Sequence, residues 1–386
     1  MGNPIPLTFS SIESECRLLS GVLKLRSKAL VFMFFWYLSL SGKHYVLRKK
    51  PPGQLVSATA HAVEREYRIL LAIGKHNQAA PIYGNMLHPD AVPVPEVYCL
   101  CEDNSVLGTP FYIMEFLKGR IFSDVRMLML PKEERAACWF AAIKTLAAMH
   151  RINPTAIGLD GYGKLANFYQ RQLKSLGGVS VAQGKVKDKK TGKPVGPIPS
   201  FEDMAKWFAQ NLPKDKNTIC HGDYKIDNIV FHPTEPRVIG ILDWELSTLG
   251  HPLSDLANLL QPFSLPCSTP SKVSDPDELE RSRQRGDFWL MLGNLTPAQS
   301  PVPVKEELLK EYCEAARCEY PIPNWTFCEA WAWFRLAVIA QGIAARSAAG
   351  QASSAKAKEY GSMFPIVADG ALKIIKASTG AVKAKL

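Results

Sequence analysis

Hydrophobic alternation and short apolar runs mark the first third of the chain, and a helical repeat marks much of the rest. Residues 29–38 are apolar without a break, yet they number only ten. A helix that spans a bilayer takes about 20 residues, so the run predicts a buried strand or core segment, not a membrane anchor. A turn at 39–42 leads to a second strand, His44–Arg48, which ends at Lys49-Lys50-Pro51-Pro52-Gly53. Val63, Tyr67, Leu70 and Leu71 recur at helical spacing and predict a helix over 59–73. Residues 93–100 and 110–116 read as strands on either side of a turn at Asp103-Asn104. Strand, helix, strand, strand makes a compact mixed unit ending near residue 117.

Beyond Gly119 the pattern turns helical. Over 132–151, Trp139, Ile143, Leu146 and His150 share one face, with Ala136, Phe140 and Ala147 beside them. A second helix is predicted over 200–212 with Ser200 as its cap. A third runs from Trp325 to about Arg346 with a stripe of Phe327, Trp331, Phe334 and Val338. Residues 184–196 carry five lysines among Gly and Pro and read as a mobile basic loop; residues 266–303 read as a surface excursion. Residues 118–386 thus form the larger, mainly helical part, with 376–386 as a tail, and no internal repeat is visible.

Composition narrows the class. With 386 residues, 47% hydrophobic and 21% charged, the chain can bury a large core and is not a disordered polymer. Lys plus Arg exceed Asp plus Glu by 46 − 36 = +10, which suits anionic partners. No nucleic-acid recognition motif accompanies the charge, so a nucleic-acid partner is not expected. Nine scattered cysteines show no metal spacing and predict reduced, mostly buried thiols. His88, His232 and His251 lie beside prolines and are given no metal role. The terminal Ala384-Lys385-Leu386 is a variant of the Ser-Lys-Leu address and predicts peroxisomal import through its receptor; without it the chain would be cytoplasmic.

The chemistry concentrates between His221 and Glu245. Two apolar runs, 228–231 and 238–242, flank a turn at Pro233–Pro236 and read as a hairpin. Asp223 and Asn228 then lie on the loop entering the hairpin and Asp243 at its exit, so the three can meet at one point. His-x-Asp-x-x-x-x-Asn is the catalytic-loop spacing of protein kinases, here with Gly222 in place of Arg. Phosphoryl transfer needs such a meeting, because Mg²⁺ takes oxygen ligands and the attacking hydroxyl must be positioned.

Together these residues resemble the aminoglycoside phosphotransferase and choline kinase superfamily. The likeness is strongest to the kinase-like domain joined to some acyl-CoA dehydrogenases. It is carried by residues 45–53, 61–67, 221–228 and 242–256, with Phe334-Arg335-Leu336 and Gln341-Gly342-Ile343, and spans roughly residues 43–365. The resemblance implies an α+β, two-lobed protein-kinase-like fold: a small mixed N-lobe over 1–117 that binds nucleotide, atypical over 1–42, and a larger mainly helical C-lobe over 118–386 that binds substrate. ATP and Mg²⁺ are the implied cofactors. Asp223 would be the base or orienting group for the substrate hydroxyl, and Lys225 would neutralise the transferring phosphate. Asn228 and Asp243 would hold Mg²⁺. Arg48 would grip the nucleotide phosphates, paired with Glu66, and Glu115, Phe116 and Leu117 would form the adenine hinge. His221, Glu245 and Asp255 would support the loop. The lysines of the basic loop could meet the phosphates of a CoA-linked substrate, although a solvated excursion is the plainer reading.

The implied reaction is phosphorylation of a small-molecule hydroxyl, with hydroxyacyl-CoA and fatty-acid metabolism as the suggested setting. A kinase for an amino alcohol or aminoglycoside is one alternative; a non-catalytic pseudokinase binding nucleotide or acyl-CoA is the other. One departure separates the chain from the family. The segment before Tyr45 is elsewhere a polar, glycine-containing hairpin over the phosphates, whereas residues 22–41 here contain no glycine.

Overall fold

The computed structural model describes residues 35–40, 43–49, 62–79, 90–284, 290–351 and 357–383. Residues 29–34, 50–53 and 59–61, His88 and the terminal Ala384-Lys385-Leu386 lie outside them. Strands β1 (Phe35–Leu40), β2 (Lys43–Lys49), β3 (Val97–Cys101) and β4 (Phe111–Glu115) form one antiparallel sheet in the order β1-β2-β4-β3. The described part of the apolar run, residues 35–38, thus lies in a sheet strand paired with β2, and that strand continues through Ser39 and Leu40 of the predicted turn.

Period-two alternation sorts this sheet into faces. Leu47, Phe111 and Ile113 form a small cluster on one side. On the other, Tyr112 and Met114 join the main core together with Ile69, Leu70 and Ile73 of helix α1 (Val63–Ala79). The predicted helix therefore exists, but it runs six residues past Ile73. Asp103-Asn104 does not make a simple turn. Asp103 caps a short helix, α2 (Asn104–Leu107), by accepting the Ser105 amide, and Gly108 closes it in the left-handed conformation.

The second lobe is built on α3 (Lys132–Arg151), whose Trp139, Ile143, Leu146 and Ala147 are fully buried, and on α9 (Trp325–Ala348). Around them lie α4 (Phe168–Gly184), α5 (Phe201–Gln210), α6 (Leu253–Leu259), α7 (Glu278–Gln284), α8 (Lys305–Ala316), α10 (Ala357–Ser362) and α11 (Phe364–Lys383). Two two-stranded ribbons complete this lobe: β5 (Thr218–Cys220) with β8 (Thr248–Gly250), and β6 (Ile229–Phe231) with β7 (Val238–Ile241). No described helix is long and apolar enough to cross a membrane, and no disulfide joins two of the described cysteines.

Four expectations are corrected here. Ser200 occupies the cap position of α5 but has φ +53° and makes no side-chain cap bond. Residues 184–196 are not a mobile loop. The Asp188 carboxylate accepts the Lys190 and Thr191 amides, and backbone bonds between Val186 and Val195 and between Gly184 and Gly196 close a hairpin. Residues 266–303 are not a surface excursion: Val273, Leu290 and Leu292 enter the core. Arg126, also buried, donates to the carbonyls of Val273, Asp275 and Pro276 there. Residues 376–383 do not trail away but continue α11.

Candidate active site

The strand register builds the nucleotide side. Arg48 stands opposite Tyr112 in the β2–β4 pairing, so both side chains leave the same face, toward α1. Glu66 on α1 meets them: Arg48 Nε and Nη2 donate to its two carboxylate oxygens at 3.0 Å, and Tyr112 Oη donates at 3.0 Å. All three are nearly inaccessible to solvent. Such a fork-to-fork pair is what a buried guanidinium needs, because an unpartnered charge there would be costly. Burial works against the Arg48 cation, yet Glu66 outweighs it and the pKa is raised. Burial likewise pushes Glu66 up, with Arg48 opposing it. Arg48 also reaches the other lobe: its Nη2 lies 3.2 Å from Asp243 Oδ1 and 3.1 Å from Glu245 Oε2.

The loop between β5 and β6 holds the next group. Gly222 has φ +86°, and a Cβ at that position would overlap the Leu246 carbonyl oxygen, so both conformation and space require glycine. The turn it permits is fixed by Asp255 on α6. This carboxylate is fully buried and accepts the His221 amide at 2.7 Å and the Gly222 amide at 2.9 Å. Despite burial, the bond and charge of His150 and the nearby His221 hold its pKa below the usual carboxylate range. His221 donates Nε2–H to the Leu242 carbonyl at 2.9 Å and accepts the Asp223 amide on Nδ1 at 3.2 Å, which fixes one neutral tautomer. Burial lowers its pKa, consistent with that neutral form. The ring packs edge-on to Trp244 at 4.7 Å.

These supports bring Asp223, Asn228 and Asp243 into one neighbourhood. Asn228 Nδ2 donates to Asp223 Oδ2 at 3.0 Å and to the Asp223 carbonyl at 2.9 Å. That use of the amide nitrogen leaves the Asn228 oxygen without a protein donor among the described residues. The Leu242 amide donates to the Asn228 carbonyl at 2.9 Å, which sets Asp243 beside the loop. Asp243 itself has φ +66° and ψ +57°, an uncommon conformation for a non-glycine residue and one found at functional sites. Burial and then Glu245 push its carboxyl pKa upward, against Arg48. Lys225 Nζ lies 3.3 Å from Asp223 Oδ2 and 3.6 Å from Asp227 Oδ2. Burial works against its ammonium, but the two carboxylates outweigh it and the pKa is raised.

Glu115, Phe116 and Leu117 leave the end of β4 for the second lobe. Glu115 exchanges bonds with Glu96, its amide giving to the Glu96 carbonyl at 2.8 Å. Leu117 packs over Gly240, where a Cβ would overlap it. Arg120 and Phe231 then pair their backbones, fastening the crossing to β6.

No group of three His, Cys, Asp or Glu side chains forms a metal cage among the described residues. One carboxylate and one free amide oxygen still fit Mg²⁺, which commonly takes one or two protein carboxylates and completes its shell with phosphates and water. His232 accepts the amides of Thr234 and Glu235 on Nδ1, and His251 accepts that of Leu253 on Nδ1, so one nitrogen of each ring serves its own turn. Residues missed by sequence reasoning are Tyr112, His150 and Arg335. His150 Nε2 is 3.6 Å from Asp255 Oδ2 and its Nδ1 is 2.7 Å from Tyr312 Oη, so it backs the loop support. Arg335 on α9 donates Nη2 to the Gly222 carbonyl at 2.6 Å. Arg335 lies in the Phe334-Arg335-Leu336 segment that carries the resemblance, which assigns it no role; nothing local marks Tyr112 or His150.

The comparisons agree with this geometry. Residues 35–273 match the model of the phosphotransferase enzyme family. A crystal structure titled a putative aminoglycoside phosphotransferase from Ralstonia eutropha is similar with TM-score 0.70 and 30% identity, covering 94% of this chain and 98% of that one. The choline kinase LicA from Streptococcus pneumoniae shares the fold at TM-score 0.53 and 14% identity, covering 94% and 99%. Among curated proteins, the probable acyl-CoA dehydrogenase IBR3 of Arabidopsis thaliana is 38% identical over 317 residues, 81% of this chain but 34% of that protein. Human acyl-CoA dehydrogenase family member 11 is 35% identical over 343 residues, 88% and 38% respectively. The chain thus spans little more than a third of the length of these relatives. Two lobes joined at a pinned crossing, with a kinase-type loop between them, place the chain in the phosphotransferase enzyme family, as a small-molecule kinase of α+β, protein-kinase-like fold.

Proposed function

We propose that the chain transfers the γ-phosphoryl group of Mg²⁺-ATP to a hydroxyl of a hydroxyacyl-CoA. The observation that carries this reading is the meeting of the Asp223–Asn228 pair with the Arg48–Glu66–Asp243 network where the lobes face each other. Asp223 takes the proton of the acceptor hydroxyl as its oxygen attacks, a role worth typically 10²–10⁴-fold in rate. Lys225, beside Asp223, offsets negative charge on the transferring oxygens. Arg48 holds the nucleotide phosphates, and its planar fork suits them. Asn228 and Asp243 would hold Mg²⁺, which when bound neutralises charge on the bridging phosphate oxygens. Glu115–Leu117 would receive the adenine.

The acyl-CoA part of the reading is supported by relatives named as acyl-CoA dehydrogenases and by the net charge of +10. The terminal Ala384-Lys385-Leu386 supports a peroxisomal setting. The test is thermal shift with Mg²⁺-ATP in the parent and in Asp243→Asn, followed by ATP turnover against hydroxyacyl-CoAs and amino alcohols. Stabilisation that the substitution removes, and turnover with the thioesters, are expected. No shift in the parent protein, or turnover confined to amino alcohols, refutes the reading.

A further inference from the structure

A recess of about 50 Å³ opens against the Gly222 side of the catalytic loop. Gln172, Gly222, Leu246, Thr248, Trp331 and Arg335 line it; the nucleotide-side residues Arg48, Glu66, Asn228 and Asp243 do not. We propose that Arg335 is the specificity-determining residue of the acceptor: its guanidinium binds a carboxyl-derived oxygen of the substrate, thioester carbonyl or free carboxylate. Binding there sets the substrate hydroxyl against Asp223. The inference rests on the phosphotransfer reading above.

Three observations point the same way. Arg335 is half-buried, and its one bond among the described residues goes to the Gly222 carbonyl at 2.6 Å. A guanidinium has five N–H donors, and no carboxylate lies within ion-pair distance of Arg335 among the described residues. By contrast Arg48, Arg120 and Arg126 each hold one. Second, Asp255 is the one acid on the wall, and both of its oxygens already accept backbone amides. A cationic ligand would therefore find a guanidinium and no available carboxylate, whereas an oxygen ligand finds free donors on Arg335. Gln172 adds an amide with no hydrogen-bond partner among the described residues. Third, Gly222 immediately precedes Asp223, and consecutive Cα atoms stand about 3.8 Å apart. Asp223 itself is not on the wall, so a substrate anchored on Arg335 reaches the base by extending one residue beyond Gly222. The recess fits a small polar group and not a whole CoA, whose remainder would extend outward.

The experiment compares the parent with Arg335→Gln and Arg335→Lys. The acceptors are hydroxyacyl-CoA thioesters with the hydroxyl at successive carbons, the free hydroxy acids, the matching diols and the matching amino alcohols. kcat and KM are measured for each. Arg335→Gln should raise KM for the carboxyl-bearing acceptor by about ten- to a hundredfold, the range for losing a charged hydrogen bond. The preference for that acceptor over the matching diol should fall by the same factor. Arg335→Lys, which keeps the charge and loses the fork, should recover part of it. The thioester and free-acid arms identify which source of the oxygen is read. If kcat/KM falls equally for acids and diols, Arg335 merely braces Gly222 and the inference is overturned. It is overturned too if the parent prefers amino alcohols. Should Arg335→Gln not fold, the same loss of preference must appear in Arg335→Lys, and its absence there rejects the inference. A parent that consumes no ATP with any acceptor refutes the phosphotransfer reading itself. Transfer that is indifferent to the head group refutes only the role of Arg335.

Discussion

Replacing Asp255 tests whether the catalytic loop is held from behind. Its carboxylate is inaccessible to water and accepts two backbone amides, from His221 at 2.7 Å and Gly222 at 2.9 Å. Asp255→Ala strands both amides, and each unsatisfied buried group costs roughly 1–3 kcal/mol. Two stranded amides together put the total at about 2–6 kcal/mol. Against a typical total stability of about 5–15 kcal/mol this is a large share. Asp255→Asn keeps one acceptor and should lose about half as much. Urea unfolding followed by tryptophan fluorescence should rank the proteins as parent, then Asn, then Ala. Because the pKa of Asp255 is lowered in the fold, its contribution is complete above the ordinary Asp range and fades as pH falls through that range and below. The Asn variant should show a shallower loss of stability in acid. An Ala variant within 1 kcal/mol of the parent would refute the argument, since two stranded buried amides could not be that cheap.

Other consequences follow from the same geometry. Asp223→Asn should lower kcat by about 10²–10⁴ while thermal shift with Mg²⁺-ATP persists; loss of both together would assign Asp223 to nucleotide binding instead. Gly222→Ala should destabilise by at least about 2 kcal/mol, combining the left-handed penalty with overlap on the Leu246 carbonyl; an unchanged melting temperature would contradict it. His251 is buried, and desolvation lowers its pKa to about 4. Between that value and the ordinary pKa of about 6.5 the unfolded chain binds a proton that the native one does not. Stability should therefore fall by up to roughly 3 kcal/mol as pH drops from about 7 to 4. His251→Gln should flatten that slope in acid denaturation, and an undiminished slope would refute the assignment.

What could be read from sequence and what could not divide along a physical line. Asp223, Asn228 and Asp243 lie within one hairpin, so local chain geometry was enough to bring them together. The Arg48–Glu66 pair was legible because the strand and helix carrying it are near in sequence and the kinase pattern supplies their partnership. His150, Tyr112 and Arg335 were not, since each comes from an element whose apposition is decided by packing. The same limit explains residues 266–303. Their Ser, Pro and charged residues look exposed one at a time, yet buried Arg126 collects three carbonyls there and Val273, Leu290 and Leu292 reach the core. At 184–196 the lysines set the expectation, whereas the Asp188 carboxylate, through two local amide bonds, sets the structure. Ser200 shows the converse: the residue type suits a cap, but its backbone turns the hydroxyl out of that role.

Arg48 stitches the two lobes through a single guanidinium seated among Glu66, Asp243 and Glu245. Asp243 is consequently engaged before any divalent ion arrives, and releasing it means giving that arginine another anion to hold. The polyphosphate of a nucleotide is such an anion. Ion and nucleotide loading should thus be coupled, each weak alone, because the nucleotide phosphates would offer Arg48 an anion in place of the Asp243 carboxylate.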